Sequence, residues 1–138
     1  MVSTKTITIS TQGFCDIVDI TGQIQKIVKE SKIEEGISLI FVLGSTAGIT
    51  TMEYEDGLIR DLKEFFQKII PQDQSYYHDE TWKEANGFSH LRASLIGPSI
   101  ILPINQAELN LGVWQQIVLL DFDNRPRERE VSITLIGE

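Results

Sequence analysis

The stretch Ser99–Gly137, SIILPINQAELNLGVWQQIVLLDFDNRPREREVSITLIG, decides the fold. It holds three apolar or alternating runs, near Ser99–Ile104, Gly112–Phe122 and Arg129–Gly137, separated by the turn-rich pieces NQAELN and DNRPRE. No helical periodicity intervenes, so successive strands are joined by short connections, which suit antiparallel pairing. Upstream, TKTITIS (Thr4–Ser10) alternates with period two, and Asp16–Ile20 extends or pairs with it. LIFVL (Leu39–Leu43) reads as a strand buried on both faces, with Ile49–Glu53 its partner across the GSTAG turn. Helices fall between these runs. After Thr21, a candidate cap, Ile24, Ile27 and Val28 keep helical spacing, and Gly36 lies beyond the last polar turn. Asp56 can cap a second helix, whose broad apolar face runs from Leu58 to Ile70 before Pro71 stops it. Ser89 can cap a short helix carrying Leu91, Leu95 and Ile96, ended by Gly97-Pro98. Strands and helices without regular βαβ alternation predict one α+β domain over residues 1–138. It has a largely antiparallel sheet, two main helices and one short helix.

With 138 residues and 41% hydrophobic content, the chain can bury one proper core and has little room for a second. Its net charge of −8 argues against nucleic acid or an anionic membrane as partner, because both require clustered positive charge. A lone cysteine, Cys15, excludes an intrachain disulfide and a cysteine-rich zinc site, and its expected role is a buried, inert thiol. No apolar run approaches the roughly 20 residues that span a bilayer. The opening MVSTKTITIS has no basic region followed by an apolar one, so a soluble, cytoplasmic protein is expected.

The only two histidines, His78 and His90, bound one polar segment, HDETWKEANGFSH. Imidazole is the side chain best suited to proton transfer or metal ligation near neutral pH, so this clustering is the leading sign of chemistry. Both can ligate a divalent metal, zinc or magnesium, with a carboxylate or amide oxygen and water completing the shell. If Ser89 caps the short helix, His90 sits in its first turn, where the dipole favours a neutral ring. The bland alternative makes His78 a solvated loop residue and His90 a hydrogen-bonded interior one. Asn86, four residues before His90, can orient a ligand or form a turn with Gly87. Arg92, two residues after His90, offers an anion contact.

Arg125, Arg127 and Arg129 form a second constellation, because period two in a strand directs them to one side, where they could bind phosphate or carboxylate. Pairing with Asp123, Glu128, Glu130 or a neighbouring subunit's acids is the alternative. The glycines and hydroxyls of GSTAGITTMEYEDG could cradle an oxyanion, although a hairpin turn is the stronger reading and the lysine and spacing of a P-loop are missing. Glu53 and Glu55 share a face if the strand continues, and Glu53 is a candidate general base.

Taken together, GSTAGITTMEYEDG, HDETWKEANGFSH with LRASLIGPS, LNLGVWQQIVLLDFD and the RPRERE-to-GE terminus resemble the YjbQ-like family, also called the secondary thiamine-phosphate synthase family. The most specific parts are Asn86-x-x-x-His90 with the helix after it and Leu111-Gly112-x-Trp114-Gln115. The resemblance implies an α+β homotrimer with its histidine cleft near a subunit interface. It also implies a weak ability to join the pyrimidine and thiazole phosphate precursors of thiamine. Carried over, His78 and His90 are the metal or acid/base residues, Asn86 is the nearby asparagine, and Trp114 and Gln115 are a late signature assigned to substrate binding. Many members open the first motif with a histidine followed by threonine. Here Ser45 precedes Thr46, so a three-histidine metal site is incomplete, and water, Glu53 or Glu55 would have to substitute. The expected function is therefore transfer chemistry on a phosphate-bearing small molecule, with Arg92, Arg125 and Arg127 neutralising phosphate. The alternative is a ligand-binding or structural homotrimer without turnover.

Overall fold

The computed structural model describes residues 1–138. In chain order its elements are β1 (Val2–Thr11), β2 (Asp16–Asp19), α1 (Thr21–Ser31), β3 (Glu35–Val42), β4 (Ala47–Met52) and α2 (Asp56–Ile69). Then follow α3 (Tyr77–Trp82), α4 (Gly87–Ile96), β5 (Ser99–Asn105), β6 (Glu108–Leu109), β7 (Gln116–Asp121) and β8 (Arg127–Gly137). Every strand pair is antiparallel, as expected, but the strands divide into two sheets, ordered β1-β8-β3-β5-β6 and β2-β7-β4.

The division follows from β7, where Ile117, Val118, Leu119 and Leu120 are all fully buried. Ile117 and Leu119 join the larger core with Ile40, Val42, Ile133 and the α1 residues Ile24, Ile27 and Val28. Val118 and Leu120 face the other way, against Phe66 of α2, Ala93 of α4 and Phe122. A continuous apolar run is what a strand needs when both faces are covered. The small sheet is thus a middle layer between the large sheet with α1 on one side and α2 with α4 on the other.

Helix starts are set one to three residues before the positions that the sequence suggests. Asp19 caps α1 from outside, accepting from both the N–H and the hydroxyl of Thr21. Glu55, rather than Asp56, caps α2 by accepting from the amides of Gly57 and Leu58 at 2.8 Å each. The short helix begins at Gly87 with Asn86 as its N-cap, not at Ser89. It does end at Gly97, which adopts φ 91°. Helix α3 is an addition to the expected three. With six residues it is too short to show an apolar period, and Asp79 supports it by accepting from the Tyr76 amide. No helix is long and apolar enough to cross a membrane.

One surface is unusual. Along the outer face of the large sheet, the register aligns Val2, Ile136, Ile37 and Pro103, then Thr4, Thr134, Leu39 and Ile101, then Thr6, Ser132, Phe41 and Ser99. None of these is charged, whereas a solvated antiparallel face ordinarily carries charged side chains.

The β5–β6 hairpin turns through Gln106 and Ala107, at φ 53° and 61°, without the Asn-Gly pair that such a turn favours. Replacing Gln106-Ala107 with Asn-Gly should stabilise the fold by about 1 kcal/mol, read as a higher midpoint in urea with unchanged slope.

Candidate functional site

Helices α3 and α4 bring the two histidines together. Gly87 makes this possible: a Cβ there would lie 2.7 Å from the Tyr76 Cβ and 2.9 Å from Asp79 Oδ1, so only glycine lets the helices approach this closely. The Gly87 amide donates to Asp79 Oδ1 at 2.9 Å and pins α3 to the start of α4. That N–H is the leading reason the Asp79 carboxyl is held below the usual carboxylate range. The His78 and His90 rings then lie with centroids 4.2 Å apart, tilted by 38°. They line a mainly apolar cavity of about 270 Å³ together with Tyr76, Tyr77, Leu91 and Ser94.

The electrostatics favour neutral imidazole. Burial lowers the His90 pKa below its usual 6.5, and positive charge on His78 lowers it further, against weaker opposing pulls from Asp123, Glu84 and Asp79. His78 Nδ1 is buried with no hydrogen-bond partner, its nearest acid oxygen, Asp79 Oδ1, being 3.7 Å away. That distance is too long for a hydrogen bond. Asn86 is buried behind the pair: its Nδ2 donates to Asp123 Oδ1 at 3.2 Å, and its Oδ1 is unpartnered.

Below Asn86 lies a buried ionic network. Arg129 donates through Nε and Nη2 to both oxygens of Asp121, at 2.7 and 2.8 Å. Arg127 Nη1 donates to Asp123 Oδ2 at 2.7 Å. Thr46 Oγ1 accepts from Arg129 Nη2 and donates to Asp123 Oδ2, tying the two pairs together. Thr11 Oγ1 donates to Asp121 Oδ2. Burial pushes the Asp123 pKa up, but hydrogen bonds from Asn124, Asn86 and Thr46 and the charge of Arg127 more than offset it and hold the carboxyl low.

The remaining sequence candidates lie elsewhere. Arg92 is 3% exposed and does not line the histidine cavity. Its guanidinium donates to the Ile70 carbonyl at the end of α2 and stacks over Phe66 and Phe88. Arg125 is exposed in the turn before β8. Glu53 and Trp114 line a separate acidic cavity of about 390 Å³ with Tyr54, Glu55 and Asp56. Gln115 is occupied in closing its own loop, accepting from the Gly112 amide and donating to Thr51. Cys15 is buried, which pushes its thiol up to about 11 and leaves it a poor nucleophile. Sequence reasoning did not single out Tyr76, Tyr77, Asp121 or Ser94. Asp121 had a legible signal, because Asp121-Phe122-Asp123 places two carboxylates on one side at the spacing of Arg127 and Arg129.

Comparison with known proteins accounts for the whole architecture. A family model described as "UPF0047 protein YjbQ-like" matches residues 5–138. A UPF0047 protein of Archaeoglobus fulgidus is 35% identical over 127 residues, covering 92% of this chain and 96% of that one. The UPF0047 protein YjbQ of Salmonella typhimurium is 33% identical, with 97% of each chain covered. Among solved structures, a YbjQ-like protein of unknown function from Sulfolobus solfataricus superposes with a TM-score of 0.93. It is 34% identical and covers 100% of this chain and 99% of its own. A hypothetical protein from Aeropyrum pernix gives a TM-score of 0.90 at 27% identity, with 99% of each chain covered. Fold, length and sequence agree across the entire chain, which therefore belongs to the UPF0047 YjbQ-like family.

Proposed function

We propose that the chain is a transferase acting on a phosphate-bearing small molecule, of the secondary thiamine-phosphate synthase type, with His78 and His90 as its reacting centre. The observation that carries this reading is the pair of imidazoles, 4.2 Å apart, lining a mainly apolar cavity. A cavity of this kind with few polar groups and one perturbed imidazole, His90, is the usual form of a small-molecule site. In the proposed reaction a ring nitrogen displaces pyrophosphate from carbon, so no covalent intermediate on the protein is needed. The attacking ring nitrogen carries no proton to lose, so His78 and His90 act by hydrogen-bonding the substrate or holding an ion rather than as a base, and the apolar walls exclude water.

A divalent ion fits the pair only in part. No group of three His, Cys, Asp or Glu side chains gathers anywhere in the chain, so the protein offers two imidazole ligands and the rest must come from water or substrate oxygens. When bound, such an ion would supply stabilisation of the departing pyrophosphate. The second reading, a homotrimer without turnover, is favoured by the three uncharged rows on the outer face of the large sheet, which Glu35 bounds at one end and Glu128 and Glu130 at the other. Chains that each carry −8 meet most easily where the shared surface is neutral.

In an assay for thiamine phosphate, His78→Ala and His90→Ala should each lower turnover about 100-fold or more at unchanged oligomeric state. Equal turnover by the double variant would refute the enzymatic reading. Elemental analysis of untagged protein should find a divalent ion that both variants lose.

In metal-free protein, NMR should place His90 titration below 6.5, and His78→Ala should move it upward by removing one positive neighbour while burial persists. Because the folded pKa is depressed, His90 contributes stability that is fully present above about 6.5, the unfolded value, and is lost as pH falls through the folded one.

Light scattering should give three times the chain mass, and Leu39→Lys with Ile101→Lys on the bare sheet face should give monomers.

A further inference from the structure

Arg92 is taken by the Ile70 carbonyl and Arg127 is held by Asp123 through Nη1, and the connection between β3 and β4 offers further donors for a phosphate-bearing substrate. Gly44, Ser45 and Thr46 lie outside both strands, and none of their three amides donates a hydrogen bond within the chain. Successive free amides in a turn are a recurrent anion-binding arrangement. Beneath them lies Arg129, 2% exposed. Its Nε and Nη2 are taken by Asp121 and Thr46, whereas Nη1 makes no hydrogen bond. Gly44, at φ 139°, is the point of closest approach: a Cβ there would stand 2.8 Å from Arg129 Nη1. Any other side chain would press on the guanidinium.

Gly44 and Ser45 line a cavity of about 170 Å³ with Ser94, and Ser94 also lines the histidine cavity. The two cavities are therefore neighbours across one side chain. We infer that the Gly44–Thr46 loop, backed by Arg129, is an oxyanion subsite that takes the phosphoryl group of a substrate whose reacting part occupies the His78–His90 cavity. This deepens the enzymatic reading and rests on it. The attraction comes from hydrogen-bond donors rather than from net charge, because Arg129 with Asp121 and Arg127 with Asp123 already balance one another. A tetrahedral phosphoryl group, with several acceptor oxygens, uses these donors more fully than a carboxylate does.

Arg129 variants leave Asp121 buried and unpaired, so they test folding as much as binding. Ser45 is exposed and suits the purpose. Amide NMR of the full chain, titrated with inorganic phosphate and in parallel with acetate, should show saturable shifts at Gly44, Ser45, Thr46 and the Arg129 side chain for phosphate. Ser45→Asp, which places a carboxylate among the donors, should weaken phosphate binding at least tenfold while leaving the other amide positions in place, and Arg125→Ala should leave it unchanged. Shifts confined to other residues, equal binding of acetate, or undiminished binding by Ser45→Asp would each overturn the assignment. Phosphate bound at the loop without any histidine-dependent turnover would support the subsite and sink the enzymatic reading alone. Histidine-dependent turnover without phosphate at the loop would sink the subsite alone.

Discussion

Two buried carboxylates, Asp121 and Asp123, impose the constraint on which the site depends. They sit at the end of β7, where the chain leaves the fully apolar middle of the molecule, and a carboxylate there without a partner would cost several kcal/mol. Their charge is met by Arg129 and Arg127 from β8, by Thr46 from the β3–β4 connection and by Asn86 from the start of α4. Three segments far apart in sequence are thereby drawn to one point. The network holds the loop over Arg129 and the first residue of the α4 cap, and so determines where His90 can be.

The histidine pair depends on a second, weaker condition, the docking of α3 on α4. That contact rests on Gly87, on one hydrogen bond to Asp79 and on the stacked rings themselves. Two imidazoles at this distance repel when both are charged, and with burial this disfavours the charged form of His90. Rigid support on the Asp123 side and lighter support on the α3 side give one fixed ring and one held by a short helix. This asymmetry suits a site in which one group must stay in place while the other meets the ligand.

Much of the fold was legible in the chain because it rests on local periodicity. Alternation in β1, the apolar run of β7, and the stop signals at Pro71 and Gly97 are local physics, readable without neighbours. The run Leu39–Leu43 misled, because Ile40 and Val42 are buried while Phe41 and Leu43 are exposed, and β3 pairs with β5 and β8 rather than with β4. Cap identity was misjudged at α1, α2 and α4 for a common reason. Several oxygen-bearing residues stand within a few positions of each helix start, and which one caps depends on the direction from which the chain enters. Helix α3 was missed because six residues carry no periodic signal. The broad stripe of α2 shows the opposite error, since Phe65 and Ile69 remain about half exposed although the pattern marks them as core.

By itself the sequence determined the class of fold, the antiparallel sense of the strands though not their partners, and the concentration of imidazole in a single segment, because each follows from residue spacing along the chain. Only the tertiary structure decided which charges are spent and which are free. Arg92, Arg125, Arg127 and Arg129 are equivalent cations in the sequence. In the fold, one caps a helix end, one is solvated, and two neutralise buried acids, with Arg129 keeping a single nitrogen uncommitted. The physical reason is that an ion pair is a property of distance and burial, and neither is a function of position along the chain.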